Sequence, residues 1–480
     1  MTREFQSLND ERRAGAQAAR PRDERTEELA GRAVRAPFQS LRMNITVLGL
    51  WHLGCVTAAC CAKHFQVVGL DFDAANVAKL NQGQAPLFEP GLNELIAAGI
   101  AAKKLCFTTD AKIACANADV LWLCFDTPVN DNDESDVESV LANLRKTLSH
   151  LPEGALVLIS SQLPVGTCAK LEKEFPQFHF ACSPENLRLG KALDSFEKAE
   201  RVVVGVRDDT KKAVIAELFA PFTPQILFMR TESAEMVKHA LNSFLALSIT
   251  FINEVARLCE HTGADAKEVS AGLKSEPRIG PKAYLGPGGP FAGGTLARDV
   301  VTLTKLAKTN RETISVIPAI KQSNDLHRGW AFRRLQSRLG KLRGNKIAVL
   351  GLTYTTNTDT LRRSAAVELC QQLLKAGARV AAFDPVVKSG SAGFQPAGST
   401  SSAKRAGKMP ALPKLAADIA ASLDGADAAV VCTEWPQFRQ ADWASLVPTM
   451  RQPVFVDANR FLEKELKSIT GVEHLSVGRV

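Results

Sequence analysis

No apolar run in this 480-residue chain reaches the length of a membrane span, and no apolar signal core precedes the first patterned segment. Cysteine occurs eleven times but never as Cys-x-x-Cys or in a His-spaced cluster. That pattern excludes a zinc ribbon or finger, supplies no disulfide framework and offers no metal site. The thiols therefore read as buried side chains in a reducing cytoplasm. A formal net charge of +8 on a chain this long is too small and too dispersed for a nucleic-acid binder. It suffices to attract the phosphates of a nucleotide. Residues 1–42 lack both a strand pattern and large apolar side chains, so burial cannot offset their ordering entropy and they read as a disordered tail. The acids Glu4, Asp10, Glu11, Asp23, Glu24, Glu27 and Glu28 argue against a mitochondrial transit peptide. Recognisable patterning begins at Met43.

What is present centres on Tyr284 to Asp299, a Gly- and Pro-rich stretch between two helical segments. It reads as a folded-over loop lining a cleft. Gly286, Gly288, Gly289, Gly293 and Gly294 let backbone approach a ligand, and Arg298-Asp299 can supply a cation and a proton acceptor. The same composition suits a tight inter-helix connection with no ligand.

From Asn44 the chain reads strand (Ile45 to Leu48), glycine turn (Gly49 to Gly54), helix through Cys61, and strand (Phe65 to Leu70) ending at Asp71. This is a βαβ unit with an acid about 20 positions beyond the first glycine, as in proteins whose Asp takes the ribose hydroxyls of NAD. The middle glycine of the fingerprint is Trp51, which either stacks on the cofactor or blocks it. Two glycines also fit a plain strand-to-helix turn. Strands at Val120 to Phe125 and Ala155 to Ser160 end in Asp126-Thr127-Pro128 and in Ser161 to Thr167, where ligands of an open parallel sheet sit. Thr231 to Thr262 has helical periodicity, with an apolar stripe from Ala234 through Leu241, Phe244 and Ile252 to Val255; Lys238 and Asn242, four apart, share a face. A second α/β unit runs from Lys346 to Gly351, through a helix (Ser364 to Ala376) and a strand (Val380 to Phe383), to Asp384; its single glycine predicts no second dinucleotide site. Lys388 to Lys414 reads as an unstructured surface insertion and Arg328 to Lys346 as a solvated basic helix.

The loop from Pro287 to Asp299 resembles, without a gap, the Pro-Gly-x-Gly-Phe-Gly-Gly-Ser-Cys-Phe-Pro-Lys-Asp loop of the UDP-glucose/GDP-mannose dehydrogenase family. The family cysteine falls on Thr295, the lysine on Arg298 and the aspartate on Asp299, while Pro290 and Ala292 replace glycines. The loops after the strands are similar to the family's Val-Gly-Thr-Pro and Ser-Thr-Val-Pro-Val-Gly-Thr, with the family's second threonine-containing loop carrying Gln162 where a water-holding Thr stands. Ser183 to Gly190 resembles Pro-Glu-Phe-Leu-x-Glu-Gly, keeping Glu185 and placing Leu189 on the second carboxylate. Leu350 to Arg362 resembles the family's UDP-domain motif, keeping Arg362 and placing Thr355 on the substrate lysine.

The resemblance implies two doubly wound Rossmann-like α/β domains joined by a central helical domain: an NAD-binding domain at 43–229, a dimerising middle at 230–335 and a UDP-sugar domain at 336–480. It implies NAD bound by Gly49, Gly54, Asp71, Thr127 and Gln162, and chemistry at Thr295, Asp299, Lys238, Asn242 and Glu185. Arg188, Tyr284, Gly293, Arg298 and Arg362 are the implied contacts to a nucleotide sugar, most simply a UDP-sugar. The family oxidises a primary alcohol to a carboxylate in two hydride transfers through a cysteine-bound aldehyde. A threonine hydroxyl lacks thiolate reactivity without an adjacent base. Three readings therefore stand: a nucleotide-sugar oxidoreductase with altered chemistry, a catalytically silent nucleotide-sugar binder, and a different ligand class on the same scaffold. A cytoplasmic homodimer through the helix at 231–262 completes the expectation.

Overall fold

The computed structural model describes residues 43–128, 130, 134–185, 187–292, 295–361, 364–387 and 413–479. The expected tail, most of the expected insertion, Gly293 and Arg362 lie outside the described residues.

Eight strands form the first sheet: β1 Asn44–Leu48, β2 Gln66–Leu70, β3 Leu105–Thr108, β4 Val120–Leu123, β5 Leu156–Ile159, β6 His179–Cys182, β7 Val202–Val206 and β8 Ile226–Met229. They lie in the order β3-β2-β1-β4-β5-β6-β7-β8. All neighbours are parallel except β6 and β7. Strands such as Val-Leu-Trp-Leu and Leu-Val-Leu-Ile are buried at every position because helices cover both faces. Alternation sends Val47, Trp122 and Leu158 into one apolar layer and Leu48, Leu121 and Val157 into the other. β4 is shorter than its apolar run, because the chain turns away after Leu123 into the crevice loop.

The second sheet is wholly parallel, with β9 Lys346–Leu350, β10 Arg379–Phe383, β11 Lys414–Leu415, β12 Ala428–Val431, β13 Val454–Asp457 and β14 Glu473–Leu475. Its order is β11-β10-β9-β12-β13-β14, so Asp71 and Asp384 follow strands of two separate sheets. Lys414, expected to end the insertion, belongs to a short edge strand. Each sheet reverses its strand order at the centre, β1 beside β4 and β9 beside β12. Those two points open crevices at the carboxyl ends of the strands. The turns after β1 and β9 are built alike: Gly49 and Gly351 have φ of +95° and +87°. Leu50 N–H donates to Asp71 and Leu352 N–H to Asp384, each at 2.7 Å. In the second sheet the indole of Trp435 also donates to Asp384, at 3.2 Å, and closes that position over.

Between the sheets stand α2 (Thr231–Thr262), α3 (Thr295–Thr309) and α4 (Val316–Arg328); α1 (His52–Cys61) follows the first glycine turn. α2 ends as Gly263 adopts φ +76°. The expected apolar stripe is only partly its buried face: Ala234 and Ile252 are buried, whereas Phe244 is 65% exposed. The buried side is instead rich in polar groups, including Glu235, Lys238, His239, Asn242 and Asn253. Helical structure also starts inside the stretch read as a loop. After Ala292 the residues Thr295 to Asp299 form the first turn of α3, since Leu-Ala-Arg-Asp-Val has no helix breaker.

The remaining loop, through Gly286 to Ala292, ties three parts of the fold together. Asn253 on α2 accepts from Gly288 N–H at 2.9 Å and donates to Gly289 C=O at 3.2 Å. Asn324 on α4 exchanges two bonds with Phe291. Asn459, after β13, accepts from Gly289 N–H at 2.7 Å, and a Cβ on Gly288 would stand 2.0 Å from its oxygen. A side chain at position 288 would therefore turn the Asn459 amide aside and cost its bond to Gly289 N–H.

His327 completes the clamp by donating from Nε2 to Gly288 C=O at 2.8 Å, while Nδ1 accepts from Arg257 at 3.1 Å. Burial, aided by Arg257, pushes its pKa from 6.5 down to about 4. Between these values the unfolded chain holds a proton that the folded ring refuses, so stability falls as pH falls. The loss attributable to His327 should approach about 3 kcal/mol at the acid end. Unfolding of wild type and His327→Gln at several pH values checks this: the variant should show the smaller loss on acidification.

Candidate active site

At the first crevice the glycine turn fits a dinucleotide at two of its three positions. A Cβ on Gly49 would lie 2.6 Å from the Phe125 ring, and one on Gly54 1.7 Å from Gly49 C=O. Both glycines are thus demanded by the close passage of helix and strand. Asp71 stands half-buried at the end of β2, where burial raises its carboxyl and N–H donors from Leu50 and Asp73 oppose the rise. It keeps lone pairs for ribose hydroxyls. Trp51 precedes α1 with φ −94° and no side-chain cap, and it is half-buried rather than folded into the core. Asp71 therefore keeps acceptor sites open at the crevice, and Trp51 departs from the usual glycine turn.

His52, the next residue, bonds Glu89 at 2.8 Å. Burial alone would raise Glu89, but donors from His52, Ala192 N–H and Gly190 N–H outweigh it and hold the carboxyl below its ordinary range. This pair links the glycine turn to the loop after β6. Gly190, at φ +78°, in turn lies against Thr356 and Asn357 of the second sheet domain.

The residues expected at the reaction centre converge from α2, α3 and the loops after β4, β5 and β6. Asp299 is fully buried. Its carboxylate meets Nδ1 of His239 at 2.7 Å, Asn242 Nδ2 at 2.5 Å and Gln162 Nε2. His239 Nε2 faces Leu163 C=O at 3.1 Å, so both ring nitrogens point at acceptors. Gln162 turns its amide oxygen to Arg298, whose other arm reaches Thr127 C=O at 3.4 Å. Thr127 Oγ1 donates to Gln162 C=O at 2.9 Å. Lys238 is buried and donates to Glu185 C=O at 2.5 Å, with Glu185 Oε1 3.8 Å away. A small recess is lined by Gln162, Cys182, Glu185, Lys238 and His239.

Thr295 is exposed at the start of α3. No described residue is hydrogen-bonded to its hydroxyl, so none of them is placed to activate it as a base. Arg188 and Tyr284 are also exposed at the cleft. Tyr284 stands near enough to Tyr354 of the second sheet domain to add to the rise that burial gives that hydroxyl. Two of the thiols are poor candidates for a catalytic cysteine. Burial pushes Cys115 up to about 11 and Cys432 up to about 12, and Cys106, expected to be buried, is exposed on β3.

The sequence reading missed Glu235 and His239. Glu235 accepts from Gly166 N–H at 2.6 Å and Cys168 N–H at 2.8 Å, fixing the loop after β5. The spacing of Glu235, Lys238, His239 and Asn242 was the available signal, since positions three and four apart share one helical face.

Two open sheets with switch-point crevices, and a helical hub presenting lysine, asparagine and aspartate to the first of them, define a nucleotide-binding protein of the doubly wound class. Comparison with known proteins agrees. Models of the UDP-glucose/GDP-mannose dehydrogenase family match as its NAD-binding domain (residues 43–223), central domain (232–326) and UDP-binding domain (348–464). A UDP-glucose 6-dehydrogenase of Rhizobium meliloti is 34% identical over 452 residues, covering 91% of this chain and 100% of that protein. One from Pseudomonas aeruginosa is 32% identical over 454 residues, covering 91% and 98%. The structure of a UDP-glucose dehydrogenase from Pyrobaculum islandicum superposes with a TM-score of 0.80 at 29% identity, covering 93% of this chain and 100% of that one. The chain belongs to the UDP-glucose/GDP-mannose dehydrogenase family, and the cofactor of its first domain is NAD.

Proposed function

We propose that the protein is an NAD-dependent dehydrogenase that oxidises the primary alcohol of a UDP-sugar, UDP-glucose being the first candidate, and that Thr295 alters the second half of the reaction. The observation that supports it is the convergence of Lys238, Asn242, Asp299 and Glu185 beside the crevice of the NAD-binding domain. Bound NAD supplies the hydride acceptor. Lys238, fixed by Glu185 C=O, stabilises negative charge developing on the alcohol oxygen. Asp299 is enclosed by His239, Asn242 and Gln162, so its part is to orient Asn242 rather than to meet the substrate. The half-buried Glu185 is then the carboxylate placed to take the alcohol proton. Arg188, Tyr284 and Arg298 are the described candidates for the nucleotide sugar, and Arg362 joins them on the resemblance alone.

One oxidation by this route needs no covalent nucleophile. Incubation with NAD and UDP-glucose should give close to one NADH per sugar, with an aldehyde that hydroxylamine traps. Calorimetric binding of UDP-glucose without any NADH would instead favour the silent binder.

The domain limits we assign are 43–229, 230–335 and 336–480, in a homodimer formed through α2. Phe244, Phe251 and Leu258 are 65%, 48% and 65% exposed. Their spacing of seven places them on one face of α2, the stripe a second helix would cover. Sedimentation equilibrium should show a dimer for wild type and a monomer for Phe251→Glu. A wild-type monomer at micromolar concentration would count against this. No helix among the described residues is long and apolar enough to cross a membrane, and the cysteines, all free, suit a reducing cytoplasm.

A further inference from the structure

The crevice at the β1/β4 switch point holds a carboxylate where a dinucleotide presents its most negative part. Asp126 lies in the loop after β4, and its Oδ2 accepts from the N–H of Leu53, the second residue of α1, at 3.4 Å. The first N–H groups of that helix are the ones a doubly wound fold turns toward a pyrophosphate. Asp126 keeps solvent access at the mouth of the crevice, so a ligand can reach it. The ionisable groups facing it are His52 and Cys55 from α1, Cys124 just after β4, Glu185 from the loop after β6, and Arg298 from α3. An anion arriving at these N–H groups meets a second anion already there. The clash disappears when the carboxyl holds a proton, because the neutral acid donates an O–H to a phosphate oxygen.

We propose that Asp126 takes up a proton when NAD binds and hydrogen-bonds the pyrophosphate as the neutral acid, which makes cofactor affinity proton-linked in this protein. The proposal rests on the NAD reading of this domain. Protein packed against one side of this solvent-exposed side chain raises the Asp126 carboxyl above its ordinary value and the Glu185 charge adds to the rise, while His52, the Leu53 N–H and Arg298 oppose it. A pyrophosphate raises it further. The neutral acid is the binding form, so affinity is greatest below the pKa of the free protein. It falls by about tenfold per pH unit until the pKa of the complex is passed, and then levels.

Calorimetry of the full chain with NAD, from about pH 5 to about pH 8.5 and in two buffers of different ionisation enthalpy, tests this directly. Wild type should take up protons on binding and lose at least about tenfold in affinity across the range. Asp126→Asn, with the same shape and an amide donor, should bind without proton uptake, show little pH dependence and exceed wild type at the alkaline end. Asp126→Ser should also lose the uptake, which guards against a folding defect in one variant. Wild-type binding without proton uptake overturns the proposal. Uptake that survives in both variants also overturns it and assigns the linkage to His52 or another group. Failure of NAD to bind any of the three proteins at any pH defeats the NAD reading itself, and the proposal with it.

Discussion

Thr295→Cys is expected to increase NADH formation in the second oxidation by on the order of a hundredfold, equivalent to about 2.7 kcal/mol of barrier. Thr295 is exposed at the first position of a 15-residue helix, and Arg298 follows three residues later. A thiol there would meet the positive end of the helix and a nearby guanidinium, both of which favour the thiolate. The wild-type hydroxyl gains little from the same surroundings, because no described residue accepts its proton. With the thiolate, an aldehyde formed in the first step has a covalent trap, and its thiohemiacetal can pass on a second hydride. The ratio of NADH to sugar should move from near one toward two, and intact mass under turnover should show a sugar adduct in the variant only. If the variant forms no more NADH than wild type, the nucleophile is not the limiting defect. Leu189 and Thr355, standing where the resemblance expects a carboxylate and a lysine, would then favour the binding-protein reading. A wild type that already forms two NADH per sugar would show that this chain needs no thiolate.

Asp299→Ala should destabilise the protein by about 3–5 kcal/mol and abolish hydride transfer. The carboxylate is the shared acceptor for the buried His239 and Asn242 and the half-buried Gln162. Its removal leaves several donors unpaired at once, and each buried orphan costs about 1–3 kcal/mol. Thermal or urea unfolding checks the magnitude. Asp299→Asn should lose less, because its amide oxygen still accepts. A change below about 1 kcal/mol for the alanine variant would mean that solvent reaches the cluster.

Two departures from the family pattern are coupled in space. Gln162 and Arg298 lie 136 residues apart, and Gln162 uses one end of its amide for Arg298 and the other for Asp299. Neither a threonine nor a lysine has this planar reach. The long amide and the guanidinium therefore form one arrangement, and reverting either alone would leave the other without its partner.

Much of the architecture was legible because it depends on local periodicity. Continuous apolar runs ending at Gly49 and Gly351 announced parallel strands buried on both faces, and the acids ending the next strands announced the switch-point crevices. The 3.6-residue pattern located α2 from Thr231 to Thr262. Its orientation was not legible, since apolar and polar residues are evenly balanced along it and only packing shows which side the domains cover. Phe244, read as part of the apolar stripe, is exposed, whereas Glu235 and His239 occupy the buried face. The start of α3 at Thr295 was hidden for a related reason: glycine and proline mark where helix cannot run, but not how soon it resumes.

By itself the sequence determined the two sheets, the long helix between them and the residue types available at the crevices, because these follow from side-chain spacing along a continuous backbone. Only the tertiary structure decided that Asp299 is enclosed by His239, Asn242 and Gln162, that Asp126 stands before the N-terminus of α1, and that Asn459 and His327 clamp the glycine loop. Each of those depends on groups between 39 and 170 residues apart. Such distances carry no local pattern, and chain folding alone sets which buried donor finds which acceptor.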